Sequence, residues 1–204
     1  MRVNEKRRYP RATLPTDDAL SFLGARVAWP NHEMSDVLDI SYKGLAVRRP
    51  GVFQVKDKEV IKLLVALGDE SPYECFGRVV WSNSEWVGFE ISSLPPKGHL
   101  ALRRYLDDAI LGLSLREVDK AHFSNGSTFQ HWFQAGDACH VWIWTSKAVV
   151  IERIQFDIGG EKVELKKGQK ISRGDILAMR ALRILSQIKD ENLGLHSFIT
   201  SVGR

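Results

Sequence analysis

Between Phe22 and Ile91, short apolar runs alternate with clusters of turn-forming residues, the pattern of a unit built from strands. Strands are predicted at 22–29, 36–40, 44–48, 60–67, 73–81 and 86–91. In the first of these, Val27 and Trp29 alternate with Arg26 and Ala28, as a half-buried strand requires. Six strands so close together are best closed into a small barrel, which leaves few free edges. Pro95-Pro96 stops the last strand. Residues 98–113 then read as a helix, with Leu102, Leu106, Ala109, Ile110 and Leu113 on one face. Arg103 with Asp107, and Arg104 with Asp108, form i,i+4 pairs on the other face.

After Ser114 the pattern changes. A polar stretch ending in Ser124-Asn125-Gly126-Ser127 suggests a boundary that divides the chain into residues 1–113 and 114–204. Beyond it, strands are expected at 141–144 and 148–158, and Ile158-Gly159-Gly160-Glu161 is a two-residue hairpin signal. Pairing Ile158 with Glu161 sets Phe156 opposite Val163 and Ile154 opposite Leu165, so turn and apolar pattern agree. Ser172 to Asp175 resembles a capping box opening a helix to about residue 189. Leu177, Ala181, Ile184, Leu185 and Ile188 form its inner face, with Arg180, Arg183 and Gln187 opposite. That helix packs on its own hairpin or pairs with a second copy of the chain. The expected fold is mainly β: a six-stranded barrel with a following helix, then a smaller region of hairpin and helix.

Composition narrows the function. With 44% hydrophobic and 26% charged residues, the 204-residue chain reads as a folded, water-soluble protein. No run of about 18 apolar residues occurs, so no membrane span is expected, and Ala12 to Asp18 has no leader-like apolar core. Cys75 and Cys139 form neither a disulfide framework nor a zinc spacing, which fits a reducing cytoplasm. His122, His131 and His140, with Cys139 beside the last, match no metal-ligand spacing, so no metal is expected. Nucleophile elbows, phosphate-binding loops and zinc-protease motifs are missing, so the chain is not read as an enzyme. The net charge of +4 is concentrated: residues 1–11 carry Arg2, Lys6, Arg7, Arg8 and Arg11 against Glu5. The body beyond them is neutral. Such an arm suits a compact anion better than a long DNA or RNA, which calls for basic residues spread over a face.

Two motifs give that anion an identity. Arg7-Arg8-Tyr9-Pro10-Arg11 reads Arg-x-x-x-Arg, and Asp39-Ile40-Ser41-Tyr42-Lys43-Gly44 reads Asp-x-Ser-x-x-Gly. In this order and separation they resemble the signature of PilZ domains. Gly77-Arg78-Val79-Val80-Trp81, followed by Val87-Gly88-Phe89-Glu90, is similar to the closing strands of that family's barrel, and the helix after Pro95-Pro96 falls where the family has one. The resemblance covers about residues 5–113. It implies a receptor for cyclic di-GMP, with Arg7, Arg11, Asp39, Ser41 and Gly44 contacting the messenger, Arg8 assisting and Trp81 near a base. The messenger is a ligand here, and no cofactor is implied.

The residue types suit that ligand. A guanidinium fork takes phosphate oxygens bidentately and also matches guanine O6 and N7. Asp39 can accept from the N–H donors of a guanine edge, Ser41 offers a small hydroxyl, and Gly44 frees the backbone. Trp81 either stacks on a base or finishes the barrel rim. The expected role is a cyclic di-GMP-binding adaptor that passes messenger binding to a protein partner in motility, surface attachment or a related output. The alternative is a PilZ-like scaffold that binds proteins without nucleotide. Trp132, Trp142 and Trp144 form a docking surface or fill a small core.

Overall fold

The computed structural model describes residues 12–13, 23–51, 53–68, 71–172, 174–188 and 193–202. The chain divides into two compact units, residues 1–107 and 108–204.

In the first unit, β1 (Ala12–Thr13) lies beside β3 (Met34–Ser41). The strands β2 (Ala25–Ala28), β3, β4 (Gly44–Arg48), β5 (Val60–Leu67), β6 (Tyr73–Ser82) and β7 (Trp86–Ser93) follow the order β3-β2-β5-β6-β7-β4, and a β3–β4 pairing closes the ring. This is the expected six-stranded barrel. Alternation fills its interior with Val27, Ile40, Val47, Leu63, Val87 and Phe89. Trp29 is also buried, against Phe53 and Phe89, and its indole N–H donates to Ser35 Oγ at 2.9 Å, so the large ring carries no unpaired donor inside. Helix α1 (Pro96–Ser114) starts on a proline, which fits a first helical turn because its missing N–H would have no partner there. Leu102, Tyr105 and Leu106 are buried, and the Tyr105 hydroxyl donates to the Leu23 carbonyl at 3.1 Å.

The second unit is larger than a hairpin and a helix. A five-stranded antiparallel sheet runs β12-β11-β10-β9-β8, built from β8 (Arg116–Glu117), β9 (His131–Ala135), β10 (Cys139–Thr145), β11 (Ile151–Ile158) and β12 (Glu161–Lys166). The turn at Gly159-Gly160 has both residues at positive φ, +60° and +89°. Its register, Ile158 with Glu161, Phe156 with Val163 and Ile154 with Leu165, is the one the sequence implies. Helices α2 (Ile176–Leu185) and α3 (Leu195–Val202) pack against β12 and β11.

Three local expectations are corrected. Asp175, not Ser172, caps α2, with its carboxylate accepting from the Ala178 N–H at 3.0 Å, and the helix ends at Leu185. Asp108 does not pair with Arg104 on a wet face. It is 1% exposed and receives Arg180 Nε at 3.0 Å and Arg183 Nη2 at 3.0 Å. Arg180 and Arg183 therefore serve a buried carboxylate, because a charge out of water needs a partner more than a helix surface needs a pair. Among the described residues, no helix is long and apolar enough to cross a membrane.

Candidate ligand-binding site

Asp39, Ser41 and Gly44 lie on the β3–β4 hairpin, whose two-residue turn is Tyr42-Lys43, with Ser41 paired to Gly44. The register skips one residue between Val37 and Asp39, because Val37 faces Val47 while Asp39 faces Ala46. Leu38 is the extra residue of a β-bulge, and it reverses the parity of the strand. Before it, Ser35 and Val37 are buried, and after it Ile40 takes the inward place. Without the bulge Asp39 would point into the core. With it, Asp39 and Ser41 share the outer wall.

The same ladder carries that wall across four strands. Asp39 pairs with Ala46, Ala46 with Gly88, and Gly88 with Trp81. One step along, Ser41 pairs with Gly44, Gly44 with Glu90, and Glu90 with Arg78. Directly paired residues share a face, so these two rows form one patch. Its middle is floored by Gly44, Ala46 and Gly88, small residues over which neighbours close: the Trp81 indole lies on Gly88, and Ala46 is buried. At a spacing of about 4.8 Å per strand, each row runs roughly 14 Å along the curved wall.

Small residues and a second bulge shape the far side of the patch. The β6–β7 register skips between Val79 and Trp81, so Val80 is the extra residue. Arg78 and Trp81 are three positions apart and would otherwise face opposite ways. The bulge turns both outward. Trp81 is 43% exposed, so it is not a core residue, and its indole occupies the place a Cβ on Gly88 would take. Arg78 Nη2 donates to Glu90 Oε2 at 2.6 Å. Sequence reasoning missed Arg78 and Glu90. The pairing partner of each is set by register, and no motif marks it.

Two expected reasons for the motif change in detail. Gly44 has no positive φ, and a Cβ there would sit 2.6 Å from the Phe89 carbonyl oxygen, so the glycine is required by the approach of β7. Ser41 is only 4% exposed, and its hydroxyl donates to the Gly44 carbonyl at 3.2 Å, closing the turn. The turn is also tied to α1, since the Tyr42 hydroxyl donates to Asp107 Oδ1 at 2.8 Å. Burial, that hydrogen bond and the carboxylate's charge push the Tyr42 phenol above its ordinary range.

Arg7, Arg8 and Arg11 lie outside the described residues. The chain that follows them is held at the motif, because Ala12 pairs with Ile40 and Thr13 with Asp39. Arg11 is one peptide bond from Ala12, about 3.8 Å between Cα atoms. Among the described residues no group of three or more metal-ligating side chains gathers: His131 meets Glu117 at 2.7 Å, while His140 stacks on Trp142 at 5.6 Å between ring centres. Trp132 and Trp144 gather around Phe129, so these tryptophans build a secondary aromatic cluster in the second unit.

Residues 5–108 match the PilZ domain family, half of the chain, and the chain belongs to that family. Among solved structures, the PilZ domain with c-di-GMP of YcgR from Escherichia coli is similar over 52% of this chain and 92% of that one, at 11% identity and a TM-score of 0.41. The Bacillus subtilis inhibitor of motility, MotI/DgrA, is 19% identical over 50% of this chain and 53% of that one, with a TM-score of 0.38. The Borreliella burgdorferi PlzA protein in complex with c-di-GMP is 14% identical over 81% of this chain and 84% of that one, with a TM-score of 0.32. No curated protein matches the sequence.

Proposed function

We propose that this protein is a cyclic di-GMP receptor of the adaptor kind, with no catalytic step, in which Arg7, Arg8 and Arg11 close over a ligand seated on the wall between Asp39 and Trp81. The observation that carries this reading is the anchoring of β1 beside Asp39, which tethers the arginine motif to the Asp-x-Ser-x-x-Gly hairpin through a single peptide bond. Membership in the PilZ family and the intact motif residues support it. Two phosphates call for several guanidinium groups. Asp39 takes the N–H donors of one guanine, Trp81 stacks on a base, and Gly44 keeps the floor open. Ser41 holds the turn and offers its oxygen to a ligand donor. Residues 1–113 act as the sensing domain and 114–204 as the extension through which a protein partner is addressed.

Calorimetry of the full chain with cyclic di-GMP, against GTP and cyclic GMP, tests the reading. Binding of cyclic di-GMP at micromolar affinity or tighter, roughly −8 kcal/mol, is expected, with a large loss in the Arg7→Ala/Arg11→Ala double variant. Undiminished affinity in that variant sinks the latch.

A further inference from the structure

The patch formed by the two rows carries a cation, Arg78, that neither motif includes. Arg78 ends the row that begins at Ser41, and both it and Trp81 face outward only because β6 inserts Val80 between Val79 and Trp81. Glu90 fixes the guanidinium through Nη2 and engages only part of its donor fork. Between Arg78 and Ser41 the row passes through Glu90, whose carboxylate is turned to Arg78, and then Gly44, which has no side chain. A flat aromatic surface and a pre-oriented guanidinium therefore stand on the same strand and the same face, beside a glycine floor.

We infer that Arg78, oriented by Glu90, reads the O6/N7 edge of a purine stacked on Trp81 and so makes this site select guanine over adenine. The inference rests on the cyclic di-GMP reading and adds the source of base specificity on the barrel side. Guanine offers two acceptors on that edge, O6 and N7, which a bidentate guanidinium satisfies together. Adenine replaces O6 with an amino donor. A guanidinium has no acceptor, so the adenine amino group and one arm of the fork are left facing each other unpaired. Such a site rejects the wrong base through unmet hydrogen bonds and without a steric clash. Glu90 acts as a positioning residue, because without it the long arginine side chain has more rotamers to lose on binding.

The test is calorimetry of the full-length wild type, Arg78→Ala and Arg78→Gln with cyclic di-GMP and with cyclic di-AMP. Arg78 is on the surface, and matching circular dichroism spectra establish that the variants fold. Wild type is expected to prefer cyclic di-GMP by at least tenfold. Arg78→Ala should lower cyclic di-GMP affinity at least tenfold and leave cyclic di-AMP affinity unchanged, collapsing the preference. Arg78→Gln should gain cyclic di-AMP affinity, because a carboxamide matches adenine N6 and N7. A wild-type preference that survives intact in Arg78→Ala overturns the role of Arg78 and leaves the receptor reading standing. Wild-type protein that binds neither dinucleotide overturns both.

Discussion

The indole of Trp81 lies where a side chain on Gly88 would have to be, on the strand that pairs with its own. The glycine is thus a condition for the aromatic surface: a single methyl group at position 88 would fall inside the ring and push it off the wall.

Gly88→Ala should therefore behave like Trp81→Ala in ligand binding. Each is expected to lose roughly 1–3 kcal/mol of cyclic di-GMP affinity, the worth of one base–aromatic stack. Gly88→Ala should also shift the tryptophan fluorescence, with its barrel still folded by far-ultraviolet circular dichroism. Normal affinity in Gly88→Ala would show that Trp81 does not stack on the ligand.

Gly44 has a different duty. Its Cβ would meet the Phe89 carbonyl at 2.6 Å, and backbone in a closed ring yields poorly. Gly44→Ala is expected to destabilise the barrel by about 1–3 kcal/mol, as overpacking does, seen as a lowered urea midpoint without ligand. An unchanged midpoint would mean that β4 and β7 separate freely.

The barrel was legible because its strands alternate cleanly, as in Val27 and Trp29, and the Gly159-Gly160 turn disclosed both its type and its register. The Asp-x-Ser-x-x-Gly motif pointed to half of the wall patch, and the arginine motif lies outside the described residues. In the other half Trp81 followed from the family resemblance, while Arg78 and Glu90 were hidden by register. Leu38 and Val80 are apolar and lie inside runs that predict unbroken strands, yet each is the extra residue that turns its neighbours outward. Strand β9 was missed because Trp132 and Phe133 are adjacent bulky residues, which masks the alternation of His131–Ala135. Asp108 misled for a related reason. Its sequence neighbour Arg104 suits a helical pair, while its real partners lie 72 and 75 residues away. Local pattern cannot report a contact made only by tertiary packing.

That contact is strong enough to measure. Asp108 is enclosed, with Arg180 and Arg183 on its two oxygens, so removing the carboxylate takes from both guanidinium groups their buried acceptor. Asp108→Ala is expected to cost about 3–5 kcal/mol, the usual penalty for breaking a buried pair from one side. Chemical denaturation should register it as early loss of the second unit. A loss below 1 kcal/mol would mean that water reaches the pair.

The two thiols give a prediction in pH. Burial pushes Cys75 and Cys139 from 9.0 up to about 11, so neither is a thiolate at neutral pH. Because the folded chain holds these protons more tightly than the unfolded one, their contribution to stability is intact below pH 9 and falls as pH rises toward about 11. Iodoacetamide at pH 8 should label neither cysteine in the folded protein and both in urea, with mass spectrometry counting the adducts. Denaturation midpoints should decline from pH 9 to 11 in wild type and decline less in the Cys75→Val/Cys139→Val double variant. Rapid labelling of native Cys139 at pH 8 would show that the sheet and helices of the second unit open far more often than their packing implies.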